Sequence, residues 1–458
     1  MKTKEIHDDK MEIINKLDEN IADDNLYKNV CIFGQGFVGL PLALSFAVRG
    51  CNAIGIDVDN KLVQDTNEGI THHTEKFYDI TIQDILRLQL HNKKYKATTD
   101  AAKALKNCNN IIVTVGIPIK DNNYIMNYLE DACVTIGKNM KKGDLVIIRS
   151  TVIPGTTEDF VLPILERESE LKAGVDFYLA YASERIAEGK AFDEFANMPT
   201  LVGGINNVSI ERAKGLLSIV CKADVIEASD MKVVETTKVF ENVQRDVNIA
   251  MSQEFARFTE AIGIDIFEVV KLANTHKRVN LLTPGPGVGG YCIPNAYHYI
   301  APKAESVGIS MDLLKLAREK NASIPDFIVD KLAELLKSVG KDLSKSKIAV
   351  LGLAMKDYSN DDRISPPVDI CNILIEKGAE VKAFDPVVPT KYSFKVETQE
   401  DAVDKADAIL ILAKQEGINV DDLKASVSIM NEKSIIVDTK GIFKENKLYE
   451  SGIKYWSI

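Results

Sequence analysis

Seven cysteines are scattered over 458 residues, at Cys31, Cys51, Cys108, Cys133, Cys221, Cys292 and Cys371. The number is odd and no C-x-x-C occurs, which argues against a disulfide framework and against a zinc site, so no metal is expected. Basic charge is also short: 56 Lys and Arg stand against 67 Asp and Glu, a net charge of -11. Non-specific nucleic-acid binding needs a basic face, so no nucleic-acid partner is expected. An anionic ligand has to be met by local positive charge from lysines, arginines or helix N-termini. Long apolar runs are missing as well. No segment reaches transmembrane length, and the charged residues 1–28 lack the apolar core of a signal peptide. The expectation is a cytoplasmic chain with no membrane partner. Hydrophobic residues at 45% and charged residues at 27% are ordinary for a globular protein, and the length suits about three domains.

What is there begins with an alternating pattern. Asn29–Phe33 (N-V-C-I-F) reads as a buried strand running into G-Q-G-F-V-G and an apolar helix, and Ala53–Asp57 as a second strand. Asn110–Val115, Leu145–Ile148, Tyr178–Tyr181 and Leu201–Gly203 follow with helical stretches between, the pattern of a parallel, doubly wound sheet. From about Ala228 to Ile262 apolar residues recur at helical spacing without a strong breaker, which predicts one helix of some fifty ångströms. A second alternating region opens at Lys347: strand Ile348–Leu351, helix Val368–Lys377, then strands Glu380–Phe384, Ile409–Leu412 and Ser434–Val437. The fold class is therefore α/β: two doubly wound, Rossmann-like domains joined by a long central helix and a helical dimerisation domain. The expected boundaries are a charged extension at 1–28, a nucleotide-binding domain at 29–227, a central helical domain at 228–325 and a second Rossmann-like domain at 326–458. No internal repeat beyond the two halves and no low-complexity segment is present.

Four motifs carry chemistry. Gly34-x-Gly36-x-x-Gly39 follows a strand and opens a helix, and Asp57 stands eighteen residues after Gly39 at the end of the next strand. Such glycines let a pyrophosphate approach the backbone, the helix N-terminus supplies N–H groups, and the acid accepts from the ribose hydroxyls while repelling a 2′-phosphate. NAD is thus expected over NADP, and the matching context makes a mere structural turn the weaker reading. The second motif is P-G-P-G-V-G-G-Y-C-I-P, from Pro284 to Pro294. Cys292 in it reads either as a nucleophile behind a glycine loop or, as free cysteines often are, as a small buried residue. Lys238 and Asn242 lie four apart on the long helix, where they can either stabilise an oxyanion or belong to a solvated face. Ser183-Glu184-R-I-A-Glu188-Gly189 follows a strand, where α/β sites gather their ligands but where a plain helix cap also fits.

Taken in chain order, these segments resemble the UDP-glucose/GDP-mannose dehydrogenase family over about residues 29–458. The resemblance rests on G-Q-G-F-V-G, S-T-V-I-P-G-T-T, S-E-R-I-A-E-G, K-V-F-E-N-V-Q-R-D-V-N-I-A, H-K-R-V-N-L-L-T-P-G-P-G-V-G-G-Y-C-I-P, G-L-A-M-K-D-Y-S-N-D-D-R-I-S-P and V-D-T-K-G-I-F. It implies that Cys292 is a nucleophile, that Lys238 and Asn242 hold an oxyanion and its water, and that Glu184 serves acid/base steps. It implies cofactor contacts at Gly34, Gly36, Phe37, Val38, Gly39, Asp57, Thr151, Glu188 and Arg363. It implies substrate contacts at Arg185, Arg278, Asn280, Gly289, Met355 and Lys356, with Arg278 reaching the partner's substrate in a homodimer with shared active sites.

The implied reaction is a four-electron oxidation of the C6 alcohol of a UDP-sugar, through a Cys292 thiohemiacetal and thioester, with two equivalents of NAD. S-E-R and R-V-N-L-L-x-P-G-P-G-V-G-G are similar to the branch acting on UDP-N-acetylhexosamines, above all UDP-N-acetyl-D-mannosamine. UDP-N-acetylglucosamine and UDP-glucose stand behind it. Three positions depart from the family pattern: Ala296 where an aspartate is usual, Ile117 where a hydroxyl is usual, and Arg149 where a glutamate or lysine often precedes S-T. A nucleotide-sugar binding protein without turnover is the competing reading, and NADH production separates the two.

Overall fold

The computed structural model describes residues 26–458 apart from 74, 78–79, 121–122, 188, 419–426 and 443–452. Nearly all of the expected charged extension, and Glu188, lie outside the described residues. The chain divides into two compact units, Met1–Phe240 with His298–Lys303, and Glu241–Tyr297 with Ala304–Ile458.

In the first unit, β1 (Asn29–Phe33) is buried along almost its whole length, as a continuous apolar run demands of an interior parallel strand. It leads into α1 (Gly39–Val48), every residue of which is buried, the behaviour of a helix apolar on all faces. The other strands of its main sheet are β2 (Asn52–Ile56), β3 (Tyr95–Thr98), β4 (Asn110–Val113), β5 (Leu145–Ile148), β6 (Tyr178–Ala182), β7 (Thr200–Gly204) and β8 (Val225–Glu227). They form one sheet in the order β8-β7-β6-β5-β4-β1-β2-β3. From β3 to β6 this is the 3-2-1-4-5-6 order of a dinucleotide-binding sheet.

The sheet is not parallel throughout, as the alternation had suggested. β7 runs antiparallel to β6, with Ala180 opposite Gly204 and Ala182 opposite Val202. Among the described residues the only helix between them, Ala191–Asn197, has seven residues and rises about 10 Å. A five-residue strand spans about 17 Å, so the chain re-enters the sheet from the end it left. β3 and β8 are also strands that the sequence pattern does not reveal.

The long helix α2 runs over Met231–Ala261, about 46 Å at the standard rise. Its apolar residues are divided between two faces. Val234, Val239, Val243 and Ala250 are buried, whereas Val233, Phe240, Met251, Phe255 and Phe258 are exposed.

In the second unit a five-stranded sheet has the order β10-β9-β11-β12-β13, from β9 (Lys347–Leu351), β10 (Glu380–Phe384), β11 (Ala408–Ile411), β12 (Ile435–Asp438) and β13 (Lys454–Ser457). All its pairings are parallel. Ile328, Leu332, Val350, Ile370, Leu410 and Val437 belong to its core. No helix among the described residues is long and apolar enough to cross a membrane.

Candidate active site

In the first unit the chemistry lies along the carboxyl ends of neighbouring strands. The glycine turn follows β1, Asp57 follows β2, Thr114 follows β4, Arg149 to Thr151 follow β5, and Ser183 and Glu184 follow β6. This edge is where open α/β sheets take their ligands.

The turn is built tightly from below. A Cβ on Gly39 would stand 1.7 Å from the carbonyl oxygen of Gly34, whereas one on Gly36 would meet nothing within 4 Å. The protein therefore demands glycine at position 39, and it leaves open ground above Gly36 that a diphosphate can use. Asp57 is held at this turn: Oδ2 accepts from the Gln35 amide at 2.7 Å and Oδ1 from the Asp59 amide at 3.0 Å. Each oxygen keeps a lone pair for a ribose hydroxyl. The Gln35 side chain is buried beneath, donating to Ile32 O at 3.0 Å and accepting from the Tyr95 hydroxyl at 2.7 Å. Phe37 packs edge-on against His72 and His73, with ring centroids 5.3 Å apart in both pairs, and Val38 precedes the first turn of α1.

Glu184 is neither solvated nor a helix cap. It is buried, with Oε2 accepting from Arg149 Nε at 2.8 Å and Oε1 from the amides of Arg185 and Ile186 at 2.6 and 2.7 Å. The Arg185 guanidinium donates to Pro199 O at 2.9 Å. Ile117 is buried and its carbonyl accepts from the Tyr299 hydroxyl at 2.7 Å. Thr151 is half-buried. Lys238 is buried, against the base rate for a helical lysine. One turn before it, Glu235 accepts from Gly155 N at 2.5 Å, Thr157 N at 2.8 Å and Thr157 Oγ1 at 2.6 Å. Burial pushes the Glu235 carboxyl up against those three donors. Sequence reasoning passed over Glu235; its spacing of three from Lys238 on one helix face was the available signal.

In the second unit, Asn242 is buried. Cys292 opens α3 (Cys292–Ser306) and is exposed, whereas the other six cysteines are buried. The positive end of a helix dipole favours negative charge in that first turn. The glycine loop before it is pressed against the turn after β9. A Cβ on Gly289 would come within 2.6 Å of Ile364 O and 2.8 Å of Met355 Cβ, and Gly290 N donates to Ile364 O at 3.1 Å. Ile364 itself has φ +49°, a conformation costly for a β-branched residue. Gly289 and Met355 are thus brought together, with Lys356 half-buried beside them. Arg363 is gripped by Asp361, while Arg278 and Asn280 are exposed and the Asn280 carbonyl accepts from Asn248 Nδ2 at 2.9 Å. Ala296 is buried, so an aspartate there would carry a buried carboxylate.

β10 also ends in an acid, Asp385, but this one is used up. Oδ2 accepts from Leu353 N, Ala354 N and Gln415 Nε2, and Oδ1 from Val387 N and Val388 N. Five donors fill the roughly four acceptor sites of a carboxylate, so Asp385 has nothing left for a ribose.

Asp57, with acceptor capacity to spare beside the open ground at Gly36, makes the first unit the dinucleotide-binding one, and the class is that of an NAD-dependent oxidoreductase. Comparison with known proteins agrees and goes further. Residues 28–221 match the NAD binding domain of the UDP-glucose/GDP-mannose dehydrogenase family, residues 232–323 its central domain and residues 349–445 its UDP binding domain. The chain belongs to this family and is an NAD-dependent nucleotide-sugar dehydrogenase. It is 34% identical over 416 residues to the UDP-N-acetyl-D-mannosamine dehydrogenase of Pyrococcus horikoshii, covering 91% of this chain and 96% of that protein. It is 32% identical over 445 residues to the enzyme of that name from Methanocaldococcus jannaschii, covering 96% and 98%. The solved structure of the Pyrococcus horikoshii UDP-D-ManNAc dehydrogenase matches it with a TM-score of 0.86 at 32% identity, covering 94% of this chain and 99% of that one.

Proposed function

We propose that this enzyme oxidises the C6 alcohol of UDP-N-acetyl-D-mannosamine to the carboxylate, through covalent intermediates on Cys292. The observation that carries the covalent route is the exposure of Cys292 alone among seven cysteines, at the first turn of a helix behind a glycine loop. The sugar assignment is supported by the relatives at 34% and 32% identity, which bear that activity in their names.

Bound NAD supplies the acceptor for the two hydrides that leave C6. Gly34, Gly36, Phe37, Val38 and Gly39 would hold its diphosphate, Asp57 its ribose, and Thr151, Glu188 and Arg363 would complete its contacts. Gly289, Met355, Lys356, Arg185, Asn280 and Arg278 serve the nucleotide sugar. The Cys292 sulfur adds to the C6 aldehyde carbon, which keeps that aldehyde on the protein. Lys238 and Asn242 stabilise the oxyanion; a donor of this kind contributes about 3–4 kcal/mol. In the last step water adds to the thioester carbon, the C–S bond breaks, the thiolate returns to Cys292, and Glu184 takes the proton from the water.

The working unit is a cytoplasmic homodimer with shared sites. Met251, Phe255, Phe258 and Ile262 lie along one exposed stripe of α2 and its end, and a row of this kind is what a second copy covers. Full chain given NAD and a panel of UDP-N-acetylmannosamine, UDP-N-acetylglucosamine and UDP-glucose should release two NADH per UDP-N-acetylmannosamine and favour it in kcat/KM. One NADH per sugar with free aldehyde sinks the covalent route; preference for another sugar sinks the substrate assignment.

A further inference from the structure

We propose that Arg149 is a positioning residue that locks the Glu184 carboxylate with one acceptor site free for the water proton. This rests on the reading in which Glu184 takes that proton. Arg149 follows β5, where its own amide donates to Val113 O at 2.8 Å, so its stem is fixed to the sheet. Its Nε donates to Glu184 Oε2 at 2.8 Å, while the amides of Arg185 and Ile186 take Oε1 at 2.6 and 2.7 Å. Both side chains are withdrawn from solvent, 4% and 9% exposed. A carboxylate offers about four acceptor sites, and three are occupied. Rotation of the carboxyl breaks several of these bonds at once, so the remaining site on Oε2 points in one direction.

The surroundings show why the arginine stays. Its guanidinium lies over the Phe195 ring, 5.6 Å from the centroid, and the cleft around it is lined by Ser183, Glu184 and Glu194 as well. The Glu194 carboxylate accepts from Ala187 N. Arg149 Nη1 and Ser183 Oγ, both buried, have no hydrogen-bond partner among the described residues. Buried polar atoms of this kind are met by ordered water, so a carboxylate oriented here has a place for a water beside it.

The step concerned is thioester hydrolysis: water oxygen bonds to the acyl carbon, the C–S bond breaks, sulfur leaves as the Cys292 thiolate, and Glu184 receives one proton. A misdirected Glu184 slows this step and spares the first oxidation. With NAD and UDP-N-acetylmannosamine, Arg149→Met should lose about 50-fold in steady-state turnover, keep its first-NADH burst within about threefold and its NAD KM within about twofold, and accumulate an acyl adduct on the intact protein. Arg149→Lys, which restores the charge, should recover at least about fivefold of the loss. The double variant Arg149→Met/Glu184→Gln should be no slower than Glu184→Gln alone, because a residue acting only through its partner adds nothing once the partner is gone. Additive losses, or burst and turnover falling together, overturn the proposal. If Arg149→Met does not fold, the same cycle is run with Arg149→Lys. Glu184→Gln at the parental rate removes the base assignment itself, whereas a slow Glu184→Gln beside a fast Arg149→Met removes the role of Arg149 only.

Discussion

Asp361 grips Arg363 on two edges, Oδ1 accepting from Nε at 2.8 Å and Oδ2 from Nη2 at 2.7 Å. The acid is buried and the arginine side chain remains 43% exposed, so a flexible cation is held in one orientation while still facing solvent. The planar fork makes such a grip directional. If Arg363 serves the cofactor, Asp361→Ala should raise the NAD KM about tenfold, some 1.4 kcal/mol, with kcat changed far less. An unaltered NAD KM in steady-state kinetics would show that Arg363 needs no such orientation.

Cofactor choice depends on Asp57. Its carboxylate is held by the Gln35 and Asp59 amides, and so it cannot swing away from an incoming 2′-phosphate. The enzyme should prefer NAD in kcat/KM, and Asp57→Ala should narrow the NAD-to-NADP ratio about tenfold or more. Equal efficiency with both cofactors in the parent rules the assignment out.

Cys292→Ala should lose turnover by several orders of magnitude, the scale expected on removing a covalent nucleophile, with cofactor and sugar binding kept. Cys292→Ser should add to the aldehyde and then stall, because an oxygen ester hydrolyses far more slowly than a thioester. Intact-protein mass spectrometry should then detect a sugar adduct. Near-parental turnover in Cys292→Ala reduces this cysteine to packing.

The exposed stripe on α2 predicts an obligate dimer. Phe258, 63% exposed, is the residue to charge: Phe258→Glu should shift the sedimentation coefficient to that of a monomer and abolish most activity. A fully active monomer contradicts shared sites.

Glu75 links stability to pH. Its Oε2 stands 3.5 Å from His73 Nδ1, with both side chains buried, and its Oε1 accepts from Gly189 N at 3.4 Å. Burial pushes this carboxyl up, but the contacts with His73 and the backbone donors together outweigh it, and the group titrates below its ordinary value of 4.5. A carboxyl lowered by folding contributes stability above its unfolded pKa and loses it as the pH falls towards the folded value. Glu75→Gln should therefore melt lower than the parent at about pH 5.5–6, by about 1–2 kcal/mol, and the gap should close below about pH 4.5. A gap independent of pH assigns the loss to packing.

Much of the fold was legible because local periodicity and tertiary burial agree. β1, β5, β9 and β10 match their predicted bounds at Asn29–Phe33, Leu145–Ile148, the end of Lys347–Leu351 and Glu380–Phe384, since each is a continuous or alternating apolar run. The long helix fell within about three residues of Ala228–Ile262. The reversal of β7 was not legible, because alternating elements imply crossovers, and only the length of the helix Ala191–Asn197 decides which way the chain returns.

The sequence by itself determined the glycine turn with Asp57, because steric and dihedral demands act within a few residues, and it determined the family through motifs in chain order. What only the tertiary structure decided is which polar groups are buried and with whom. Arg149 and Glu184 are thirty-five residues apart, and the sequence marks the arginine merely as a departure; two neighbouring parallel strands, β5 and β6, bring them to 2.8 Å. Asp57 and Asp385 both end second strands, yet one keeps capacity for a ribose and the other is consumed by five donors of its own loops. Cys292 is exposed where composition made burial the easier guess. Burial and pairing are properties of the whole packed chain, set by long-range contacts that no local pattern encodes.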